Sequence, residues 1–406
     1  MYKNFRRRFN MSIQSKEEQR NHRILGQELE LFMASEEAPG MPFYLPNGMI
    51  LRNALEEYWR DEHRKANYKE IKTPIMMKQE LWETSGHWDH YQDNMYFSEV
   101  DNQQYALKPM NCPGAMLIFN HKRRSYRELP IRYAELGLVH RHELSGSLNG
   151  LLRVRAFTQD DAHLFVREDQ IEPEIDRVLD LIHEMYSKFG FDYEVELSTR
   201  PENFMGSVEL WDQAERSLEN VLEQRGMPYT LNEGDGAFYG PKIDFHILDS
   251  LGRSWQCGTV QLDFQMPEKF NCQYIGEDNS LHHPIIIHRA IFGSIERFLA
   301  ILIEHYEGAF PLWLAPEQIR ILPIADAHLD YAFEVKRILT EKGYRAEVDD
   351  RSEKFGYKVR EAAKAKIPFA WVIGDKEVEN QAVSVRKRKE GDLGQLSLES
   401  ALELLE

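Results

Sequence analysis

Apolar side chains recur at helical spacing in four parts of the chain. Between residues 171 and 189 they fall on one face of a 3.6-residue period, at Ile171, Ile175, Val178, Leu179, Ile182, Met185 and Tyr186. Gly190 follows directly, and glycine is typical of the position just beyond a helix end. Segments 50–66, 207–225 and 290–307 show the same period, so we predict helices in all four.

Alternation of apolar and polar residues fills much of the sequence between these helices. It occurs in segments 131–140, 153–165, 193–198, 238–248, 254–264 and 284–288. Several strands with few helices between them are typical of an antiparallel sheet with helices packed outside it. The sequence therefore predicts an α+β core for the part of the chain that precedes residue 310.

The pattern changes at residues 311–316, where two prolines interrupt both helix and strand hydrogen bonding. Beyond them the predicted order is strand 319–324, helix 328–342, strand 344–349, helix 354–366, strand 369–373, strand 383–388 and helix 397–405. Such alternation predicts a small α/β domain. We therefore expect a basic arm at 1–20, a first domain at 21–310, a linker at 311–316 and a second domain at 317–406.

Composition narrows the class of protein. The 406 residues carry a net charge of −17, which argues against a general nucleic-acid coat but leaves room for a local basic surface. Three cysteines without CxxC spacing, Cys112, Cys257 and Cys272, fit a reducing compartment. No stretch approaches 18 consecutive apolar residues, so we expect no membrane span. The basic run 386–389 is short enough to be an ordinary solvated turn.

The richest polar stretch lies at residues 153–163. Because side chains alternate along a strand, its odd positions share one face, and these are Arg153, Arg155, Phe157, Gln159, Asp161 and His163. A face of this polarity does not form a hydrophobic core. It is either a solvated sheet surface or the floor of a binding site, and the combination of arginines, an aromatic ring, a carboxylate and a histidine favours the site.

Two further arginines are candidates for anion binding. Arg141 follows a predicted strand and lies beside Glu143, with which it would form an ordinary surface ion pair if it had no ligand. Arg297 lies in an apolar helical segment. A buried arginine is costly unless paired, so Arg297 either binds a carboxylate or is kept for an anionic substrate.

Spacing alone selects no metal site. Cys112, His163 and His288 are far apart in sequence, and each taken singly is more typical of a structural or exposed side chain. The chain contains no GxxxxGK[ST], HExxH or GxSxG segment, which disfavours P-loop, zincin and α/β-hydrolase chemistry.

Six segments, taken in order, resemble the threonyl-tRNA synthetase family. They are Lys108-Pro-Met-Asn-Cys112-Pro-Gly, His140-Arg-His-Glu-Leu-Ser-Gly146, Arg153-Val-Arg-Ala-Phe-Thr-Gln-Asp-Asp-Ala-His163, Gly236-Ala-Phe-Tyr-Gly-Pro-Lys242, Trp255-Gln-Cys-Gly-Thr-Val-Gln-Leu-Asp-Phe264 and His288-Arg-Ala-Ile-Phe-Gly-Ser-Ile-Glu-Arg297. The resemblance runs from about residue 20 to the C-terminus. It implies a class II synthetase core, an antiparallel sheet flanked by helices, followed by a small α/β anticodon-binding domain.

The resemblance also implies roles for individual residues. Catalysis would depend on Arg141, Arg297 and His87, the last near the terminal ribose of tRNA. ATP, with Mg²⁺ on its phosphates, would be held by Arg141, Glu143, Arg153, Phe157, Gln256, Thr259 and Arg297. L-Threonine would be bound by Gln159, Asp161, Tyr239, Gln261 and Ala290, and tRNA(Thr) by Arg351, Glu377 and Arg386.

By the same resemblance, Cys112, His163 and His288 would bind one Zn²⁺ per subunit. Threonine and valine are isosteres, and a pocket that relies on shape separates such pairs by only about 100-fold. A zinc ion with three protein ligands keeps positions open for the amine and hydroxyl of threonine. Valine has no hydroxyl, so the resemblance implies that zinc selects threonine.

Further expectations concern assembly, location and proofreading. The family implies a homodimer formed through the motif 1 region, around Lys72-Thr73-Pro74, and a cytoplasmic protein. Bacterial relatives carry an N-terminal editing module that this sequence does not include, so we expect activation of serine without editing in cis. The alternatives are a paralogue that activates an amino acid without charging tRNA or that serves as a regulator, a non-catalytic RNA-binding protein, and a zinc hydrolase that uses Asp161 as its base.

Overall fold

The computed structural model describes residues 20–249 and 252–405, and the side chain of His90 lies outside this description. The basic arm expected at 1–20 therefore lies outside the described residues, except for Arg20. In the described part of the chain, no helix combines the length and apolar character needed to cross a membrane.

The described α-helices are named in chain order. They are α1 (His22–Glu28), α2 (Pro46–Lys65), α3 (Gln79–Ser85), α4 (His87–His90), α5 (Cys112–Phe119), α6 (Ile171–Phe189), α7 (Val208–Gln224), α8 (Met266–Lys269), α9 (Ile295–His305), α10 (Leu329–Glu341), α11 (Phe355–Lys364), α12 (Asp375–Asn380) and α13 (Leu398–Glu403). The predicted helix 171–189 is confirmed at both ends, and α6 ends at Gly190 with φ 74°.

The described strands are named in the same way. They are β1 (Phe32–Met33), β2 (Phe43–Tyr44), β3 (Lys69–Glu70), β4 (Met76–Lys78), β5 (Tyr96–Val100), β6 (Gln103–Leu107), β7 (Arg124–Ser125), β8 (Ile131–His140), β9 (Ala156–Val166), β10 (Asp192–Ser198), β11 (Thr230–Asn232), β12 (Lys242–Leu248), β13 (Ser254–Asp263), β14 (Tyr274–Ile275), β15 (Leu281–His282), β16 (Ile285–Ala290), β17 (Ile319–Pro323), β18 (Ala346–Val348), β19 (Phe369–Ile373), β20 (Ala382–Lys387) and β21 (Gly391–Ser397).

The chain divides into two compact units. One contains residues 34–42 and 58–301, and the other contains the described residues up to Met33, Phe43–Glu57 and those from Leu302 onward. At the expected linker the amides of Leu314 and Ala315 both donate to the Pro311 carbonyl, at 3.0 Å. The bounds 21–310 and 317–406 remain a prediction from the sequence.

The unit containing residues 58–301 is built on an eight-stranded sheet. Its strand order is β11-β10-β12-β13-β16-β9-β8-β3, and the five central pairings, from β10–β12 to β9–β8, are antiparallel. Helix α6 covers one face, where the Tyr186 hydroxyl donates to the Ile291 carbonyl at 2.6 Å. The predicted antiparallel α+β core is confirmed.

The other unit contains a five-stranded sheet in the order β18-β17-β19-β20-β21, with the first three strands parallel. The predicted α/β alternation is confirmed here. Its core surrounds Trp371, Ile321, Val335, Leu339 and Val383, all of them inaccessible to solvent. The sequence did not predict α12 or β21, because α12 is short and polar and β21 is mostly exposed and carries two glycines.

Several predicted bounds shift for local reasons. Segment 290–307 is not one helix, since β16 runs through Ala290 and α9 begins only at Ile295. The strand predicted at 238–248 begins at Lys242, after Pro241. The strand predicted at 153–165 begins at Ala156.

We expect Trp371→Ala to lower the free energy of unfolding of the five-stranded unit by about 3–5 kcal/mol, because it empties a fully buried site. Hydrogen exchange of the β17 and β19 amides measures this change. Phe333→Ala on α10 is the matched control, since Phe333 is 46% exposed, and should change it by less than about 0.5 kcal/mol. Equal losses from both variants would contradict this account of the core.

Candidate active site

A cavity of about 530 Å³ lies over the face of the eight-stranded sheet formed by β9, β13 and β16. Its lining includes every residue that the sequence assigned to ATP, threonine or metal. These are Cys112, Arg141, Glu143, Arg153, Phe157, Gln159, Asp161, His163, Tyr239, Gln256, Thr259, Gln261, His288, Ala290 and Arg297. The sequence-predicted residues therefore converge in one place although they span nearly two hundred positions.

Alternation along β9 explains much of this convergence. Phe157, Gln159, Asp161 and His163 line the cavity, while the intervening side chains point to the buried opposite face. Arg155 was expected on the cavity face, and this was wrong. Because β9 begins at Ala156, Arg155 does not follow the alternation, and its side chain donates instead to the Glu143 carbonyl at 2.9 Å.

Strand register brings distant residues side by side. His163 pairs directly with His288 across β9 and β16, and Gln261 pairs with His288 across β13 and β16. In the next row on the same face, Asp161 and Thr259 pair with Ala290. Directly paired side chains lie about 4.5–5.5 Å apart, so each row is a set of close neighbours.

A bulge in β13 extends the cavity lining. Phe245 pairs with Gly258 and His246 with Gln256, which leaves Cys257 as an extra residue in β13. A bulge reverses the alternation locally. Gln256 and Thr259 therefore both face the cavity, although they are three positions apart.

The trio Cys112, His163 and His288 has the geometry of a metal centre. One ligand atom from each residue lies within 4.8 Å of the others, and all three residues are buried. The His163 Nε2 atom is buried without a hydrogen-bond partner in the described structure. Cysteine and histidine are the side chains that zinc prefers, so the residues fit this ion.

The surroundings orient the trio. His288 Nε2 lies 2.9 Å from Asp263 Oδ2, which leaves its other ring nitrogen for a metal, as is usual for metal-binding histidines. Burial lowers the pKa of His163 well below its usual range, so this ring is neutral at pH 7. Burial raises the pKa of the Cys112 thiol, an effect that a bound cation would oppose.

A second group, Glu196, Asp235 and Asp244, also brings carboxylate oxygens together. The Lys242 ammonium lies 2.7 Å from Asp244 Oδ2 and 3.2 Å from Asp235 Oδ2. This ammonium occupies the place of a cation, so the group is an ordinary ion-pair cluster.

Arg141 and Arg297 are held by carbonyl oxygens. Arg141 Nε donates to Pro109 O at 3.2 Å, and Arg297 donates to Leu152 O and Gln256 O at 3.2 and 3.0 Å. Within the described residues neither forms an ion pair. Since a carbonyl fixes a guanidinium without neutralising it, both charges remain for an anion. Glu143 pairs with Arg153 instead, at 2.8 Å.

His87 does not line the cavity. It is buried, with Nδ1 2.7 Å from Ser85 Oγ and Nε2 2.7 Å from the Met110 sulfur. Met110 does line the cavity, so one side chain separates His87 from it.

The three predicted tRNA contacts are not gathered in one cavity. Arg351 pairs with Asp349 at 2.7 Å beside a cavity of about 430 Å³. Glu377 accepts from Gly374 N and Ser384 Oγ, and Arg386 lies on β20 opposite Ala370. In the basic run, Arg388 is half-buried and donates to the Ala309 carbonyl at 2.9 Å, so it is structural.

Sequence reasoning missed several side chains that support the site. Asn111 Nδ2 donates to Asp161 Oδ2 at 3.1 Å, and Asp263 orients His288. Burial raises the pKa of Asp161, and the Asn111 hydrogen bond opposes the rise. The only available signal was position, since Asn111 precedes Cys112 and Asp263 ends an apolar strand.

A buried ion pair anchors the segment that leads to Cys112. Lys108 Nζ lies 3.1 Å from Glu135 Oε1, and both side chains are almost fully buried. Thr73 completes the group, since its amide donates to Glu135 at 2.7 Å and its hydroxyl accepts from Lys108 at 2.7 Å. The Lys108–Glu135 pair therefore joins the segment that leads to Cys112 to strand β8.

Comparisons with known proteins agree with this architecture. Residues 96–306 match the family described as tRNA synthetase class II core domain (G, H, P, S and T), and residues 318–406 match the anticodon binding domain. A solved structure, described as the RNA binding domain of threonyl-tRNA synthetase from Cryptosporidium parvum Iowa II, is 42% identical with a TM-score of 0.92. The match covers 95% of this chain and 97% of that one.

Curated relatives are similar over nearly all of the chain. A threonine–tRNA ligase of Acetivibrio thermocellus is 64% identical over 94% of this chain and 60% of its own length. One of Carboxydothermus hydrogenoformans is 62% identical over 93% of this chain and 59% of its own length. The chain thus spans about 60% of the length of the curated relatives it matches.

We expect Lys108→Met to destabilise the cavity unit by about 3–5 kcal/mol, because it leaves the Glu135 carboxylate buried without its counter-charge. Urea unfolding measures the change. Lys122→Met is the control, since the exposed Lys122–Glu128 pair contributes only about 0–1 kcal/mol. Adding Glu135→Leu to Lys108→Met should recover stability. A cost no larger than that of Lys122→Met would refute the role of the pair.

Proposed function

The chain belongs to the threonyl-tRNA synthetase family of class II tRNA synthetases, and on this basis we propose that it activates L-threonine with ATP and transfers the threonyl group to the 3′ end of tRNA(Thr). One observation carries the proposal. All fifteen residues assigned to ATP, threonine and zinc line a single cavity, and two of them, Arg141 and Arg297, form no ion pair among the described residues.

Activation is an attack of the threonine carboxylate on the α-phosphate of ATP, with release of pyrophosphate. The reaction needs positioning and charge neutralisation more than acid–base catalysis. In our proposal Arg141 holds the α-phosphate and Arg297 the γ-phosphate, with Mg²⁺ on the phosphates. Their anchoring on Pro109 O, Leu152 O and Gln256 O supports these roles, because each guanidinium is oriented before ATP binds.

The adenosine part of ATP would lie against Phe157. The Arg141 guanidinium already lies 5.1 Å from the centre of this ring, so the ring presents a stacking surface next to the phosphate site. We assign Glu143, Arg153, Gln256 and Thr259 to the rest of the nucleotide. Thr259 lines the cavity, and its Oγ1 donates to Asp244 at 2.6 Å, so towards a ligand this hydroxyl would act as an acceptor.

For threonine selection we propose that Cys112, His163 and His288 hold one Zn²⁺ per subunit. When bound, the ion would offer open positions to the threonine amine and hydroxyl, and valine lacks the hydroxyl. Gln159, Asp161, Tyr239, Gln261 and Ala290 would form the remaining walls. Gln261 Nε2 donates to Gly240 O at 3.0 Å and Asn111 holds Asp161, so these walls are fixed in advance.

For the transfer step we propose that His87 promotes attack by the 2′- or 3′-hydroxyl of the terminal ribose. Its Nδ1 contact with Ser85 would fix the ring orientation. Since Met110 lies between His87 and the cavity, the Met110 side chain has to move before the ribose reaches the imidazole.

We further propose that Arg351, Glu377 and Arg386 contact the anticodon of tRNA(Thr). Arg351 follows β18 and Glu377 follows β19, at the carboxyl ends of parallel strands where α/β sheets commonly bind ligands.

We also propose a homodimer formed through residues 72–74. The adjacent Ile75 and Met76 are 39% and 43% exposed, and such exposed apolar side chains support a surface that the second subunit covers in the dimer. Three free cysteines support a cytoplasmic location.

We expect Cys112→Ser to lose bound zinc and threonine-dependent pyrophosphate exchange together, because a hydroxyl is a poor zinc ligand. Metal analysis and exchange assays on the same preparation measure both. Cys272→Ser is the control, since Cys272 is buried outside the trio and should retain zinc and exchange. In the unmodified protein, kcat/KM for threonine in pyrophosphate exchange should exceed kcat/KM for valine by more than the roughly 100-fold ratio that pocket shape alone supplies. Full exchange in a zinc-free Cys112→Ser protein would exclude the metal from threonine selection.

We expect Arg386→Ala to raise the KM for tRNA(Thr) in aminoacylation without changing pyrophosphate exchange, because hydrogen bonds to unstacked bases act only on tRNA binding. Arg337→Ala is the matched control, since Arg337 is 61% exposed in an ordinary pair with Glu341. The assignment fails if both variants give the same KM for tRNA.

A further inference from the structure

Strands β9 and β16 separate at the floor of the cavity. Their pairing ends at Asp161 and Ala290, and beyond Ala290 the chain turns away from the sheet toward α9. Ala290, Gly293 and Arg297, at and beyond this point of separation, all line the cavity. The separation also removes the ladder partners of buried backbone amides on both sides of the opening, which is costly unless other acceptors replace them.

Two buried carboxylates supply those acceptors. Asp160 Oδ2 accepts from the amides of Ile291 and Phe292, both at 2.9 Å, and Glu296 Oε2 accepts from the amide of Thr158 at 2.7 Å. Asp160 is fully buried and Glu296 nearly so. Asp160 thus reaches from β9 to the turn before α9, and Glu296 reaches from α9 back to β9.

Burial of Asp160 has an energetic cost. Desolvation raises the pKa of this carboxyl to about 6, and the nearby Arg289 guanidinium opposes the rise. Arg289 Nη1 donates to the Asp160 carbonyl at 3.3 Å. A buried charge kept at this cost is better explained by the two amides that it fixes than by a gain in stability.

The turn that Asp160 fixes leads directly to Arg297. Gly293 has φ +77°, and a Cβ atom there would lie 2.7 Å from the Cys257 carbonyl, so the turn cannot easily shift toward β13. Ser294 Oγ then accepts from the Arg297 amide at 3.1 Å. Asp160 therefore holds the turn that leads into α9, the helix that carries Arg297.

We propose that Asp160 is a positioning residue for Arg297, and through it for the phosphates of ATP. Asp160 does not line the cavity and would touch no substrate. The inference rests on the proposed function, in which Arg297 holds the γ-phosphate. The proposal predicts that loss of Asp160 impairs ATP binding but not threonine binding, because Ala290 remains held by its pairs with Asp161 and Thr259.

The test compares Asp160→Ala and Asp160→Asn with the unmodified protein in pyrophosphate exchange. Asp160→Ala should raise the KM for ATP and lower kcat/KM for ATP by about 100-fold, the loss typical of a misplaced binding group. Bound zinc and the Kd for threonine, measured by calorimetry, should not change. Asp160→Asn retains an acceptor for the two amides and should recover part of the loss in KM.

Two controls separate positioning from general stability. Glu174→Gln removes the charge of another buried carboxylate, which pairs with Arg132 at 2.6 Å and does not contact the turn, so it should leave the KM for ATP unchanged. Asp160→Ala added to Arg297→Ala should cost little beyond Arg297→Ala alone, because residues that act through one another are not additive.

The inference is overturned if Asp160→Ala lowers activity without changing the KM for ATP, or if its effect multiplies fully with that of Arg297→Ala. If Asp160→Ala does not fold, an unchanged KM for ATP in Asp160→Asn overturns it equally. Absence of threonine-dependent exchange in the unmodified protein would instead refute the proposed function. In that case the Kd of ATP for the same variants still tests whether Asp160 positions Arg297.

Discussion

The hydrogen-bonded register of β13, β16 and β9 is the constraint on which the cavity depends. It places His163 and Gln261 on either side of His288, and Asp161 and Thr259 on either side of Ala290. A slip of one residue would turn every one of these side chains toward the opposite face, because the side-chain period of a strand is two. Helix α6 and its buried apolar face oppose such a slip, since they occupy that opposite face.

Buried charge is the second constraint. Lys108, Glu135, Asp160 and Arg289 are all nearly inaccessible to solvent, and each would destabilise the fold if its partners were removed. Lys108, Glu135 and Asp160 pair with backbone amides, a threonine and one another. Arg289 donates to the Asp160 carbonyl and lies over the Tyr68 ring, so all four side chains fix positions around the cavity. Arg141 and Arg297 are less buried, and carbonyl oxygens orient them while their charge is left for a ligand.

Much of this arrangement could be predicted from the sequence where a pattern carries physical information. Period-two alternation gave the cavity face of β9, and the 3.6-residue period gave α6 with its Gly190 end. Arg155 was placed wrongly because alternation does not show where a strand begins. The contacts of Asp263 and Asp160 could not be predicted, since the first depends on the register of β13 and β16 and the second on the turn that follows β16. The cysteine and histidines of the trio came together only through resemblance and register, because no spacing links them.

Different kinds of interaction hold the two halves of the cavity, so the two halves should respond differently to substitutions. The histidines of the trio and the walls around Ala290 lie on paired strands, where several backbone hydrogen bonds fix each position. Arg297 lies after a turn whose amides depend on one carboxylate. If the cavity works as proposed, substitutions in the turn between β16 and α9 should therefore disturb phosphate binding before they disturb the histidines and the walls around Ala290. Cys112 is the exception, since it lies at the start of α5, outside the sheet, and depends on the segment that the Lys108–Glu135 pair anchors.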